Sequence, residues 1–331
     1  MDNLTHSLTG MALARAGLDR LTPRATLLLL LSANIPDCDV ATLWNGQLRY
    51  FESHRGYTHT FLLLPVLALV CVLLTAAVYR QKLPWMKAWA VGCVGILSHL
   101  LLDWTNSYGI RPLLPFSSRW FHLDINGLYD WTIWIVLAAC VIWPLFSRLV
   151  GGEIGEGRRG AGRGSAIFAL SFFLLFDMGR AVLHGRAMAQ LEARLYDGMP
   201  AVSVAALPRS FDPFHWRGIV ETERAYRVLT VNTLGSLDPE DGPVFFKPAV
   251  TPALQKVLVT PAFRYMQYFA RFPVWSVEPA FLDTGQGKRF DLTDLRFGEP
   301  GSGSFHCLAL VDSKGTVLES GFSFQAAGSR E

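Results

Sequence analysis

Charged residues are scarce in this chain. They make up 17% of its 331 residues, where soluble globular chains average about 25%, and the mean hydropathy is +0.27. That shortage excludes a chain that is water-soluble throughout. A strongly basic balance is missing too. The net charge is only +3 and no Lys/Arg block of binding size occurs, so no nucleic-acid partner is expected. The five cysteines, Cys38, Cys71, Cys93, Cys140 and Cys307, form no CxxC pair and no disulfide framework. Three of them fall in apolar runs, where a thiol behaves as a small hydrophobe. The first residues lack the basic n-region expected of a cleavable signal peptide. No repeat is present, and low complexity is confined to a Gly/Arg loop at 151–164.

What the chain does have is a set of long apolar runs that stop near residue 184, followed by ordinary mixed sequence. Length and this shift both point to two domains. The expected division is a membrane-embedded domain over 1–184, a helical extension or linker over 185–200 and a β-rich outer-face soluble domain over 201–331. The expected fold class is an α-helical integral membrane domain of about six segments with a C-terminal β-rich α+β extramembrane domain. Four full spans are expected at 60–79, 86–102, 128–150 and 165–184. Two shorter helices, 4–18 and the one that Pro36 should stop, are below the roughly 20 residues a span needs and read as an N-terminal hairpin. Gly92 and Gly95 suit close helix packing, and Trp131, Trp134 and Trp143 suit interfacial anchors. In the outer domain, strands are expected at 226–231, 244–246, 256–260, 305–311 and 316–324, with a hairpin turn at Asp312–Gly315, and a short helix at 262–271.

Basic residues are unevenly placed. The turns around 15–24, 80–87 and 148–163 hold Arg15, Arg20, Arg24, Arg80, Lys82, Lys87, Arg148, Arg158, Arg159 and Arg163. The opposite segments hold only Arg49, Arg55, Arg111 and Arg119. By the positive-inside rule the first set is cytoplasmic. His6, Asp37, Asp39, His54, His59, His99, Asp103, Asp124 and Asp130 then all fall at outer helix ends or outer loops, though the topology was assigned without them.

These residue types are those that hold a divalent metal, which needs about three or four converging N, O or S donors. His99 and Asp103, at i and i+4, share a helix face. Asp37 and Asp39 follow Pro36, so their carboxylates can meet in a turn. His54 and His59 straddle Gly56, where a tight bend is allowed. The candidate ligands are His6, Asp37, His54, His59, His99, Asp103 and Asp130, with His59, His99 and Asp103 foremost. Each also has a bland reading. His6 is evenly balanced between ligand and interfacial histidine, Asp39 suits a turn former after proline, Asp124 suits an ordinary loop acid, and Asp130 suits a helix-start charge. Zinc is the first candidate ion, with manganese or another divalent metal as alternatives.

As a set, several pieces resemble one family: Met1-Asp2-Asn3-Leu4-Thr5-His6, Ile35-Pro36-Asp37-Cys38-Asp39, His54-Arg55-Gly56-Tyr57-Thr58-His59, His99-Leu100-Leu101-Leu102-Asp103, Asn106-Ser107-Tyr108-Gly109 and Leu114-Pro115-Phe116-Ser117. The family is that of the YdjM-type inner-membrane metal-dependent hydrolases, also described as LexA-binding inner-membrane-associated hydrolases. The likeness covers about residues 1–150 and is loose beyond, apart from Pro213–Trp216. Where a relative would carry Asn-Thr-Phe-Asp-Pro, this chain has Asn126-Gly127-Leu128-Tyr129-Asp130-Trp131, so Asp130 matches without the proline. The resemblance implies a reaction class and not a substrate.

The expected chemistry is hydrolysis assisted by one or two divalent ions at the outer membrane face, on a phosphoester or a lipid-type molecule. Asp39 or Asp124 would serve as general base, and Arg55 and Arg111 would hold an anionic group. Two other readings stay open at this point. Intramembrane His and Asp also line transport pathways, and only Asp177 and Arg180 continue such a path. They equally suit a salt bridge within one helix. A structural metal site in a non-catalytic scaffold is the third reading. The expected location is an inner membrane, multi-pass, with site and outer domain on the periplasmic face.

Overall fold

The computed structural model describes residues 1–153, 162–282, 285–300 and 305–324. The chain divides into two compact units. The first comprises Met1–Val40, Ser53–Gly185 and Pro208–Pro213; the second comprises Ala41–Glu52, Arg186–Leu207 and Phe214–Glu331. Residues 41–52, expected in the membrane domain, fold with the second unit. The part of the expected Gly/Arg loop at 154–161, with Arg158 and Arg159, lies outside the described residues.

The first unit is helical. Helix α1 (Asn3–Ala16) starts where the Asp2 carboxylate accepts the backbone N–H groups of Leu4 and Thr5, the usual satisfaction of orphan helix-start donors. Helix α2 (Ala25–Asn34) is followed without a break by a 3-10 stretch, Ile35–Asn45. Pro36 therefore does not stop the helical chain; it changes the helix type. Helix α3 (Gln47–Ser53) belongs almost wholly to the second unit. Helices α4 (Leu64–Tyr79), α5 (Trp85–Thr105), α6 (Trp131–Glu153) and α7 (Arg163–Glu192) follow.

Among the described residues, three stretches are long and apolar enough to cross a membrane: Ala25–Asn45, Trp85–Thr105 and Arg163–Glu192. A fourth is reached only if Gln47–His59 and Leu64–Tyr79 count together. The expected four full spans are corrected accordingly. The 60–79 run loses residues 60–63 to a bend and a turn, because Pro65 sits in the first turn of α4 and cannot occupy a helix interior without losing a hydrogen bond. The 128–150 run is helical from Trp131 to Glu153, and the apolar part among its described side chains is Trp131–Pro144. The second of the short N-terminal helices, by contrast, reaches spanning length through its 3-10 extension.

Packing of these helices follows the small residues. A side chain at Gly95 of α5 would place its Cβ 2.6 Å from the Ser32 Cβ on α2, so the two backbones approach as closely as they do only because that position is bare. Gly92 does the same against Ala68 of α4. Leu28, Leu29, Cys71, Val72, Ala88 and Val91 fill the space between α2, α4 and α5. Trp134 is no free anchor: its indole N–H donates to the Asp2 carboxylate at 3.0 Å and to Thr5 Oγ1 at 2.9 Å.

The second unit is β-rich. Helix α7 extends as expected through Glu192, and a hairpin of β1 (Leu195–Tyr196) and β2 (Met199–Pro200) takes up the end of the expected 185–200 extension. Strands β3 (Ser203–Arg209), β4 (Asp212–Glu221), β5 (Ala225–Asn232) and β6 (Val244–Phe246) form one four-stranded sheet in that order. Helices α8 (Pro252–Leu258) and α9 (Pro261–Phe269) come next. The expected strand at 256–260 is thus corrected to helix, because Thr251 caps α8 and Pro252 and Pro261 each open a helix. Strands β7 (Pro273–Leu282), β8 (Gly285–Asp294), β9 (His306–Asp312) and β10 (Val317–Ser323) form an antiparallel sheet in the order β10-β9-β8-β7, with β9 and β10 turning at 312–315 as expected. Phe51 of α3 is wholly buried within this unit among Tyr265, Phe269, Phe305 and Phe322.

Candidate metal centre

The residues that converge all lie in the first unit. Asp37 and Asp39 come from the 3-10 stretch after α2. In a 3-10 helix each residue turns about a third of a circle, so positions two apart point in different directions. His59 is set by the turn before α4, and His99 and Asp103 by one face of α5.

Asp37, His59, His99 and Asp103 each offer a donor atom, all within 4.8 Å of one another. The His59 and His99 Nε2 atoms face each other at 3.1 Å. Asp103 Oδ2 stands 3.4 Å from the first and 3.5 Å from the second. Asp37 Oδ1 is 3.5 Å from His59 Nε2 and 3.7 Å from His99 Nε2. Of these residues only Asp37 keeps any side-chain exposure, at 16%.

The supporting bonds decide what these atoms are. His99 Nδ1 lies 2.7 Å from the Ala33 carbonyl oxygen, which can only accept, so Nδ1 carries the proton and Nε2 of the neutral ring is a lone pair. His59 Nδ1 is held on the other side by Thr58 Oγ1 at 3.0 Å, with an Asp39 oxygen at 3.7 Å. Asp103 Oδ2 is buried and has no hydrogen-bond donor. The His99 Nε2 lone pair, the unbonded Asp103 oxygen and the inward-facing His59 Nε2, with the two far nitrogens held by a carbonyl and a hydroxyl, are the kind of donor set and supporting shell that holds a divalent cation. The residues present therefore fit such an ion.

A second group shares one member with the first: Asp37, Asp39 and His54. His54 Nδ1 faces Asp39 Oδ1 at 3.1 Å, while Asp39 Oδ2 accepts the Arg55 backbone N–H at 2.9 Å. The bend that brings His54 here is sharper at Arg55, with φ of +52°, than at Gly56. Gly56 is needed for space, since a Cβ there would lie 2.6 Å from the Ser53 carbonyl oxygen.

The remaining expected residues fall elsewhere. His6 is buried and stacks on the His99 ring at 3.8 Å, with its Nε2 3.2 Å from the Met1 carbonyl; it belongs to neither group. Arg55, expected to hold a substrate anion, is buried, and its guanidinium donates to Asp103 Oδ1 at 2.9 Å, Asn106 Oδ1 at 2.9 Å and the Gly109 carbonyl at 3.1 Å. The Met1 amine also donates to Asp103 Oδ1. Arg111 rests over the Trp120 ring. Asp124 faces His122 at 3.3 Å. Asp130 is drawn away from the centre: it accepts the backbone N–H groups of Thr132 and Ile133 and pairs with Arg180 at 3.2 Å. Asp177 accepts from Asn126 at 2.8 Å, so Asp177 and Arg180 each bond a residue of the 126–130 segment.

Asn106 is the residue that sequence reasoning left without a role. Its Oδ1 accepts from Arg55 and from the backbone N–H groups of Tyr108 and Gly109. The signal was present: Asn-Ser-Tyr-Gly after a helix is a side-chain-closed turn.

Apolar spanning helices and a buried His/Asp cluster with the orientation of metal ligands define an integral membrane protein with a candidate metal centre. Residues 1–186 match the family described as YdjM inner membrane protein. The chain belongs to that family. It is 24% identical to the uncharacterized protein YfhP of Bacillus subtilis over 69% of this chain and 67% of that one. It is 30% identical to the inner membrane protein YbcI of Escherichia coli over 36% of this chain and 69% of that one. No solved structure matches it.

Proposed function

We propose that this protein is a membrane-bound metal-dependent hydrolase acting at the outer face of the inner membrane, on a phosphoester or lipid-type substrate. The observation that carries the reading is the convergence of Asp37, His59, His99 and Asp103 with the two Nε2 atoms turned inward. A divalent ion there, zinc first and manganese next, supplies a water of lowered pKa and an electrophile for a phosphoryl or acyl oxygen. The chain's own part is to hold the donors. Ala33 and Thr58 fix the imidazoles, and Arg55 and Asn106 fix Asp103. Asp39, in contact with His54, stands beside this group. The uneven basic residues support a periplasmic site and outer domain.

A non-catalytic scaffold with a structural metal is the second reading. It is favoured by the count of four protein donors in the first group, which resembles a closed structural site. Detergent-purified protein is tested for bound metal by elemental analysis and then for turnover of a panel of phosphomonoesters, phosphodiesters and phospholipids. Metal-dependent turnover lost in His59→Ala and His99→Ala supports the hydrolase. Bound metal with no turnover of any class favours the scaffold.

A further inference from the structure

The four-donor group raises a difficulty for a hydrolase. Catalytic metals keep a position open for water, whereas four protein ligands around a tetrahedral ion leave none. Three members of that group are wholly buried, so the difficulty is one of access as well as count.

The second group answers both points. Asp37, Asp39 and His54 supply three donor atoms, again within 4.8 Å of one another. Two of the three keep contact with solvent: His54 is 19% exposed and Asp37 16%. The groups are not alternatives for one ion, because His99 and Asp103 face one edge of the His59 ring and Asp39 the other. His59 turns Nε2 toward His99 and Asp103, and its Nδ1 toward Thr58 and Asp39. The 3-10 stretch explains how neighbouring carboxylates reach both places. Asp37 and Asp39 diverge by about a third of a turn, so one enters the buried group and the other meets His54 beside it. A carboxylate has two oxygens and can serve two cations at once.

We infer that the centre binds two divalent cations, with Asp37 shared between a buried pocket (His59, His99, Asp103) and a more open pocket (Asp39, His54), and that the open pocket is where water and an anionic substrate oxygen bind. The inference rests on the metal-dependent reading above. In two-metal sites the ions lie about 3.5–4 Å apart and clamp both the attacking and the leaving oxygen of a displacement, which suits phosphoester substrates in particular. The partition of labour follows from burial. The inner cation holds the site together, and the outer one exchanges ligands.

The test is metal stoichiometry. Full-length protein in detergent is loaded with Mn(II) or Zn(II), freed of excess, and analysed for metal per chain, with electron paramagnetic resonance on the Mn(II) samples. Wild type is expected to hold two ions and to show a spin-coupled pair. Asp39→Asn and His54→Gln are expected to hold one, with the signal of isolated Mn(II). Asp39→Asn keeps an acceptor for the Arg55 N–H, so it guards against mere unfolding of the bend, and elution as a single detergent-protein species checks both variants. One ion in wild type, unchanged in His54→Gln, overturns the second pocket and leaves the metal-dependent reading standing. Two ions retained in both variants overturn the ligand assignment. No ion in wild type overturns the reading beneath it and this inference together.

Discussion

The imidazoles of His59 and His99 meet nitrogen to nitrogen, Nε2 to Nε2, at 3.1 Å, and the Ala33 carbonyl beyond His99 requires that ring to be protonated on its far side. Neutral rings in that arrangement are stabilised by a cation. Stripping metal with a chelator should therefore lower the thermal unfolding midpoint of the detergent-solubilised protein, and adding zinc or manganese back should restore it. An ion present at a hundred times its dissociation constant contributes about 2.7 kcal/mol. His99→Gln should abolish the dependence. A midpoint indifferent to metal in wild type would count against the centre.

Arg55 should prove a positioning residue. Arg55→Ala leaves the Asp103 carboxylate, the Asn106 side chain and the Gly109 carbonyl without a shared donor, and breaking a buried pair from one side costs about 3–5 kcal/mol. Arg55→Lys restores charge without the planar fork and should recover only part of that stability. Thermal unfolding with metal content measured on the same samples separates this from a substrate contact, which would alter KM with stability unchanged.

Asp130 should matter for stability and not for metal. Asp130→Ala removes the cap of α6 and one carboxylate partner of buried Arg180, and breaking a buried pair from one side costs about 3–5 kcal/mol. Bound metal per folded chain should equal that of wild type. Loss of metal at unchanged stability would return Asp130 to the ligand set.

The cysteines report on topology and burial together. Cys38, between Asp37 and Asp39, is exposed, whereas Cys307 is buried with its thiol donating to the Ala262 carbonyl. A membrane-impermeant maleimide applied to spheroplasts should label Cys38 and spare Cys307 until the protein is unfolded. Protection of Cys38 in spheroplasts, with labelling in inverted vesicles, would reverse the proposed orientation. Burial pushes the Cys307 thiol up, so it stays protonated in the folded protein at pH values where the unfolded chain ionises, above about 8.5. Folding binds a proton in that range, and its contribution to stability is full below it and declines as pH rises. Cys307→Ala should flatten the alkaline limb of a stability-versus-pH curve.

Much of the metal centre is legible in the chain. His99 and Asp103 share a helix face at any helical pitch close to 3.6, and their neighbours are apolar, so their convergence needs no distant information. The span count is less legible. Apolar composition marks 60–79, but Pro65 decides where that helix begins, and it acts through local hydrogen bonding that a hydropathy reading averages away. The extension of α2 past Pro36 misled for the related reason that proline forbids an α-helical bond without forbidding a 3-10 one.

Sequence alone determined the class: apolar runs too long for a soluble core, with histidines and aspartates beside them, because burial acts on composition and period. Tertiary structure decided which of those residues meet. Asp37 joins His59 and His99, Asp130 is taken by Arg180, and Arg55 serves Asp103, because a buried donor or acceptor bonds whatever partner the packed helices bring within reach, however far away it lies in the chain.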